Sequence, residues 1–577
     1  MKVSDLIIKF LQSRNINTFF TVSGGGCIHL IDSLRTNDTE TICVHHEQAA
    51  LMAAEGYFRT TNKLAASIVT NGPGGTNTLT GLLGLWLDSI PSIIISGQVP
   101  ISQLSEGTGC RQIGDQEFDI CSVVKPMTKY CKLVKNKNKI LQELEKAYNI
   151  CMSGRPGPVW LDIPLDVQGS IIEDNITFTD PVISQPEVDI TNDISKLEEL
   201  ISLSKKPLII AGNGINLSDT VTDLDKFLKK SNIPIVTGPH SGIDCVDNSL
   251  SNYCGRIGIL GQLTSNKIVQ EADLLICIGT RLPVKMTGYN VKAFSPNSKK
   301  VFIDIDINEI KKQTFKIDLS IVCDLRQFFN SIQDKNITTN NREWFSYTTN
   351  LRKEQKYFHS KHKELKNYTS FYYFINKAST YFKQIPIVTS NGTAHVVTLQ
   401  NYKINKNQKL FTNVGCASMG YGLPAAIGSC IGHKDKVICI EGDGSIMMNL
   451  QELQTICTYN LPVKLIIINN AGYLSIKLTQ ESFFGGEEFA SGSENGVQLP
   501  DFEKLAKSFN LNYFNIKNND EIDSVLQSSM SDDNPCIIEI FTHPKERHEP
   551  KVTHKGIDKD GKIIPGDLTN MYISDMF

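Results

Sequence analysis

No apolar run in this chain is longer than about six residues, against the ~20 that a membrane-spanning helix needs, so the sequence offers no candidate span. A long basic stretch is also missing. The 58 Lys and Arg against 61 Asp and Glu leave a formal net charge of -3, which gives nucleic acid or an anionic membrane no electrostatic footprint. The 15 cysteines are an odd number, scattered singly without a C-x-x-C pair, which argues against a disulfide framework and a zinc site. Cys43, Cys277 and Cys439 fall in apolar, strand-like runs and are expected to be small buried thiols, as in a reducing cytoplasm. The opening MKVSDLIIKFLQSRN puts Val3, Leu6, Ile7, Phe10 and Leu11 on one helical face, without the apolar core or cleavage site of a signal peptide.

What is present is ordinary globular composition, 40% apolar and 21% charged. A chain of 577 residues fits about three to four domains of ~150 residues each. Apolar β-type runs alternate with helical patterns, the signature of parallel doubly wound sheets. The expected fold is α/β, with three such domains over 1–180, 193–340 and 370–545 and a C-terminal arm or lid over 546–577. Residues 181–192 are polar, hold two prolines and read as a linker. The basic stretch 341–367 reads as a solvated connector.

The organising stretch is Gly442 to Asn470. Val437 to Ile440 forms an apolar run that stops at Gly442-Asp443-Gly444. A helical pattern follows (Met447, Met448, Leu450, Leu453, Ile456), and a second apolar run, Val463 to Ile468, ends at Asn469-Asn470. Strand, turn, helix and parallel strand would bring Asp443 and Asn470 together at the sheet edge where ligands collect. A carboxylate and an amide oxygen suit a Mg²⁺ that keeps other positions for water and phosphate. Gly442 and Gly444 are expected to present free backbone N–H groups to an anion. A lone GDG would be only a turn; the flanking strands and the closing Asn pair make that reading much weaker.

This stretch resembles the diphosphate-binding motif of thiamin-diphosphate enzymes. The resemblance extends over the chain to the acetolactate synthase and pyruvate decarboxylase group, through His46-Glu47-Gln48, Gly72-Pro73-Gly74-Gly75-Thr76-Asn77, Asp88-Ser89-Ile90-Pro91, Ser96 to Pro100, Arg155 to Pro164 and Met419 to Ala426. It implies thiamin diphosphate and Mg²⁺ as cofactors. Asp443, the side chain of Asn470 and the carbonyl of Gly472 would hold the metal. Gly72, Gly392, Thr393, Ser418, Met419, Gly442, Gly444, Ser445 and Tyr473 would line the cofactor, with Met419 wedged beneath it. Glu47 would hydrogen-bond the aminopyrimidine ring and so promote loss of the thiazolium C2 proton; without the resemblance it is a carboxylate near a helix start. His46 is read as structural.

Departures from the pattern bear on substrate. Gln116 stands where acetolactate synthases have a Gln near the substrate, but Asp115 and Gly114 replace the Phe and Ala expected before it. Gly25, Asp115, Gln116 and Ile476 are the candidate substrate contacts. Ile476 occupies the place of the proton-donating Glu of simple decarboxylases, which favours ligation over aldehyde release. Thr393-Ala394 replaces Gln-His. The central-domain segments Gly258 to Gly261 and Arg281 to Pro283 match only in part, so FAD stays uncertain.

The leading expectation is a carboligase taking a 2-oxo acid, pyruvate first, and an acceptor carbonyl. Arg111 to Glu117, Tyr473 to Ile476 and Phe483 to Gly486 resemble acetolactate-synthase-like proteins of surface-polysaccharide clusters, which implies a keto sugar nucleotide as acceptor. Acetolactate synthase itself, a 2-oxo acid decarboxylase, a non-catalytic scaffold and a nucleotide oxidoreductase using Gly212-x-Gly214 are the alternatives. The resemblance further implies a homodimer or homotetramer with shared sites.

Overall fold

The computed structural model describes residues 1–577 except 174–175, 185–187, 239–241, 313–314, 336, 338–340, 558, 561 and 574–577. Parts of the expected linker and the last residues of the expected arm thus lie outside the described residues.

Three six-stranded, all-parallel sheets with interleaved helices make an α/β architecture. The first contains β1 (Thr18–Thr21), β2 (Glu40–Cys43), β3 (Ala66–Val69), β4 (Ile93–Gln98), β5 (Tyr130–Leu133) and β6 (Val159–Pro164), in the order β2-β1-β3-β4-β6-β5. The second contains β7 (Pro207–Ala211), β8 (Ile235–Thr237), β9 (Tyr253–Arg256), β10 (Leu274–Ile278), β11 (Lys299–Asp304) and β12 (Leu319–Val322), ordered β12-β11-β10-β7-β8-β9. The third contains β13 (Ile387–Thr389), β14 (Leu410–Phe411), β15 (Val437–Gly442), β16 (Val463–Asn469), β17 (Asn512–Ile516) and β18 (Cys536–Phe541). Its order, β14-β13-β15-β16-β18-β17, repeats that of the first sheet. Helices on both faces explain why β3, β4, β6, β7 and β10 are buried along their whole length and read as continuous apolar runs.

The first and third units share one core. Helix α1 (Glu47–Thr61) lies against α2 (Gly422–His433), and small residues let the backbones meet: a Cβ on Gly56 would run into the Ala425 carbonyl, and one on Gly428 into that of Ala53. Leu51, Met52 and Ala53 join Leu423, Ala426 and Ile427 in a single apolar cluster.

Three readings change. Cys43 is exposed, because β2 is an edge strand whose two ends face outward, whereas Cys277 and Cys439 are buried. After the GDG turn comes a three-residue 3₁₀ turn, Ile446–Met448, and the helix proper, α3 (Glu452–Tyr459), starts later. Buried Asn449 separates the two by donating its amide to the Gly420 carbonyl at 2.8 Å, which leaves Met447 and Met448 exposed. Stretch 341–367 is no free connector: Trp344 is buried and donates Nε1–H to the Pro207 carbonyl at 3.0 Å. The tail is docked, with Leu568 buried against the second unit and its carbonyl accepting from Asn266 at 3.1 Å.

Candidate active site

In a doubly wound sheet, ligands bind where neighbouring strands send their connections to opposite faces. The β2-β1-β3 order places that crevice between the ends of β1 and β3 in the first unit, and its repeat places one between β13 and β15 in the third. Each crevice collects candidate residues.

The first gathers Gly24 to Gly26 after β1 and Thr70 to Asn77 after β3. The Gly26 N–H donates to Thr70 Oγ1 at 3.1 Å, and a Cβ on Gly26 would strike Asn71. A Cβ on Gly25, by contrast, would meet open space. Glu47 begins α1 and is buried at 8% exposure. Asn77 Nδ2 donates to Glu47 Oε2 at 2.9 Å, which holds one carboxylate oxygen and leaves Oε1 toward Gly74. His46 caps the helix, its Nδ1 accepting from Gln48 N–H at 3.1 Å.

The loop carrying Asp115 and Gln116 reaches this crevice. Asn71 Nδ2 donates to the Asp115 carbonyl at 3.1 Å, and the Gln116 carbonyl packs onto Gly72, where φ of +58° and the contact both exclude a side chain. Glu117 is the hidden fastener. Its carboxylate accepts the N–H groups of Ser105 and Ile113, and these bonds pull its pKa below the carboxylate norm despite burial. Sequence reading singled out Gln116 and overlooked Glu117 and Asn71, whose partners lie elsewhere in the chain.

The second crevice gathers Ser390 to Thr393 after β13, Gly442 to Ser445 after β15 and Asn470 to Tyr473 after β16. Asp443, 1% exposed, accepts three backbone N–H groups: Gly444 at 2.7 Å on Oδ1, and Asn470 and Gly472 at 3.0 Å each on Oδ2. The N–H of Gly444 is therefore engaged by Asp443, not free for an anion as the sequence suggested. Burial outweighs these bonds and pushes Asp443 up to about 6. Asn470 Nδ2 donates to Thr393 Oγ1 at 3.4 Å, while its buried Oδ1 has no partner. The Gly472 carbonyl accepts Leu474 N–H at 3.1 Å and keeps a second lone pair. Carboxylate, orphan amide oxygen and carbonyl form an all-oxygen set that fits Mg²⁺. No group of three His, Cys, Asp or Glu able to hold a metal occurs among the described residues.

Behind this set, Ser445 Oγ lies 2.8 Å from Ser390 Oγ and accepts Gly420 N–H at 3.0 Å. Glu441 is wholly buried, pushed up to about 7 by that burial, and accepts Leu423 N–H at 3.2 Å. Gly444 must be glycine because a Cβ would enter the Tyr473 ring. Gly392, at φ +62°, turns the chain into α4 (Gly392–Asn401). Ser418 Oγ accepts from Asn413 Nδ2 at 2.9 Å beside half-buried Met419. Ile476 is 48% exposed on α5 (Leu474–Phe484), which also exposes Phe483 and Phe484.

No hydrogen bond among the described residues joins Glu47, Asn71, Gly72 and Gln116 to Asp443, Asn470, Thr393 and Ile476. A third crevice lies in the second unit, whose order puts it between β7 and β10. There Gly214 and Gly279 touch backbone to backbone beside an open cleft of about 200 Å³, lined also by Arg59, Arg155, Asp304 and Arg326. Neither Glu47 nor Asp443 lines it.

Three family models match the chain in order: the N-terminal TPP (thiamine pyrophosphate) binding domain of thiamine pyrophosphate enzymes over residues 1–123, the central domain over 194–332 and the C-terminal TPP binding domain over 390–540. The chain is 31% identical to the acetolactate synthase large subunit of Buchnera aphidicola subsp. Schizaphis graminum, covering 91% of each chain. It is 30% identical to a probable acetolactate synthase large subunit of Methanococcus aeolicus, over 94% of this chain and 92% of that one. With the acetolactate synthase isozyme 2 large subunit of Escherichia coli it shares 29% identity over 96% and 97%.

Proposed function

From the premise that the chain belongs to the thiamine pyrophosphate enzyme family, of the acetolactate synthase type, we propose that it joins a 2-oxo acid to an acceptor carbonyl with loss of CO₂, using thiamin diphosphate and Mg²⁺. The orphan Oδ1 of Asn470 beside the Asp443 carboxylate carries this reading, since a buried unpaired acceptor next to a buried carboxylate is costly without a cation. Asp443, Asn470 and the Gly472 carbonyl would hold Mg²⁺. Gly392, Thr393, Ser418, Gly442, Gly444, Ser445 and Tyr473 would line the diphosphate, and Gly72 and Met419 the rings.

When bound, the cofactor supplies the electron sink that makes decarboxylation feasible. Glu47, its Oε2 held by Asn77, would provide a proton path at the pyrimidine ring. Ile476, in the place of the proton-donating Glu of simple decarboxylases, has no proton to give, which favours ligation over release of an aldehyde. We assign Gly25, Asp115 and Gln116 to the substrate pocket.

The acceptor divides two readings. The relatives support a second pyruvate, giving acetolactate. The exposed polar run Arg111, Gln112, Asp115 and Gln116 supports a larger hydroxylated acceptor, a keto sugar nucleotide of polysaccharide synthesis. Incubation with pyruvate alone decides: rapid acetolactate formation removes the sugar reading, and a product only when a keto sugar nucleotide is added supports it.

Spans 1–180, 193–340 and 370–545 are assigned as pyrimidine-binding, central and diphosphate-binding domains, and 546–577 as the arm. Two crevices with no hydrogen bond between them, among the described residues, favour an active homodimer or homotetramer in which Glu47 of one copy meets Asp443 of another, working in the cytoplasm on small molecules. The four arginines of the central cleft are already engaged and are not left for the diphosphate of a dinucleotide such as FAD. Arg59, Arg155, Arg281 and Arg326 each already pair with carboxylates, at 2.7 to 3.4 Å, so no step is derived through a flavin.

A further inference from the structure

The tail delivers a histidine to the diphosphate cradle. His548 Nε2 lies 3.0 Å from Thr393 Oγ1, the oxygen to which Asn470 Nδ2 also donates. This position is fixed from both sides. Glu549 N–H donates to the Tyr372 hydroxyl at 2.7 Å, and Gln400 Nε2 to the Pro550 carbonyl at 2.8 Å. Upstream, Arg547 pairs with Glu481 of α5 at 2.7 Å, and Ser370 Oγ donates to buried Glu546 at 3.1 Å.

The hydroxyl proton of Thr393 decides what this contact means. A threonine hydroxyl has one proton and two lone pairs, and the amide nitrogen of Asn470 can only donate, so it fills one lone pair. If His548 Nε2 accepted, the Thr393 proton would point at the ring and a diphosphate oxygen would face bare lone pairs. If Nε2 carries the proton, His548 fills the second lone pair and the Thr393 proton remains for the anion. Only this arrangement lets Thr393 bind a diphosphate. In either arrangement Asn470 Nδ2 can donate to Thr393 Oγ1, with its own Oδ1 left without a partner. Burial, with Lys551 nearby, pushes His548 down to about 4, so it is neutral and has a single N–H to place.

We propose that His548, as its Nε2–H tautomer, is a positioning residue for the cofactor's diphosphate, directing the Thr393 hydroxyl to the anion. The inference rests on the cofactor reading above. It gives the cradle an imidazole from the tail, where Thr393-Ala394 replaces the Gln-His of the resemblance.

Thiamin diphosphate affinity at saturating Mg²⁺, read by intrinsic fluorescence and by the ligand-induced rise in melting temperature, tests it. His548→Leu and Thr393→Val should each weaken binding about tenfold, the effect of losing one hydrogen bond to a charged group. The double variant should bind no worse than the weaker single one. His548→Gln, whose amide nitrogen can donate from the Nε2 position, should stay close to the parent. Parent-like affinity of His548→Leu, or a His548→Gln as weak as His548→Leu, overturns the proposal. Should His548→Leu not fold, parent-like affinity of Thr393→Val does the same. A parent protein that does not respond to thiamin diphosphate overturns the cofactor reading instead.

Discussion

Asp443 is a carboxylate that its surroundings treat in two opposite ways. Burial favours the protonated form, three backbone N–H groups favour the charged one, and burial prevails, at about 6. Raised above the ordinary Asp value near 3.9, this group resists ionisation in the metal-free fold. A cation has to displace the proton, so Mg²⁺ and cofactor affinity should fall about tenfold per pH unit below 6 and level off above it. Asp443→Asn should bind Mg²⁺ weakly with a flat pH profile over that range; titration calorimetry across pH 5–7.5 checks both, and a steep profile in the variant would show the metal assignment wrong. Glu47→Gln should instead slow C2 proton exchange, followed by NMR, while leaving diphosphate affinity nearly intact. Asp443 and Asn470 were legible because a strand, a turn and a strand bring them together within one linear stretch. Asn77, Glu117 and His548 were not, since each acts through a partner set by the fold: Glu47, the 105–113 loop and Thr393.

At the scale of elements, the α1–α2 crossing is the joint between the first and third units. Gly56 and Gly428 permit backbone contact there, and a methyl has no room because the opposing atoms are carbonyls rather than movable side chains. Gly56→Ala or Gly428→Ala should destabilise the protein by about 1–3 kcal/mol through overpacking, despite alanine's better helix propensity. Urea denaturation measures this; an unchanged midpoint would mean that the helices can separate at no cost. Strands were easy to read, since sheets covered on both faces demand unbroken apolar runs. The Met447–Leu450 segment was misread because helical spacing of apolar residues says nothing of a buried Asn449 that breaks the helix. Stretch 341–367 misled because its composition is basic while one tryptophan anchors it.

Across the whole molecule, two crevices of the same strand order hold unlike chemistry, one a carboxylate at a helix start and the other an oxygen-rich cradle. If a site forms only when one copy's first crevice meets another copy's third, co-expression of Glu47→Gln with Asp443→Ala should restore activity. Random pairing makes half the dimers mixed, each with one intact site of two, so about a quarter of parental activity is expected. No recovery would place both groups in one chain's site. The three-unit layout was visible in the sequence; the strand orders, and hence the crevices, were not, because register and crossover are set by packing between distant segments. The docked tail has a further consequence for the order of synthesis. Domains tend to form in turn as a chain is made, the N-terminal ones first. Here all three sheets are complete at Phe541, before His548 and Pro550 have been added. A chain ending soon after β18 would thus hold three finished sheets yet bind thiamin diphosphate about tenfold more weakly, as loss of the His548 contact predicts.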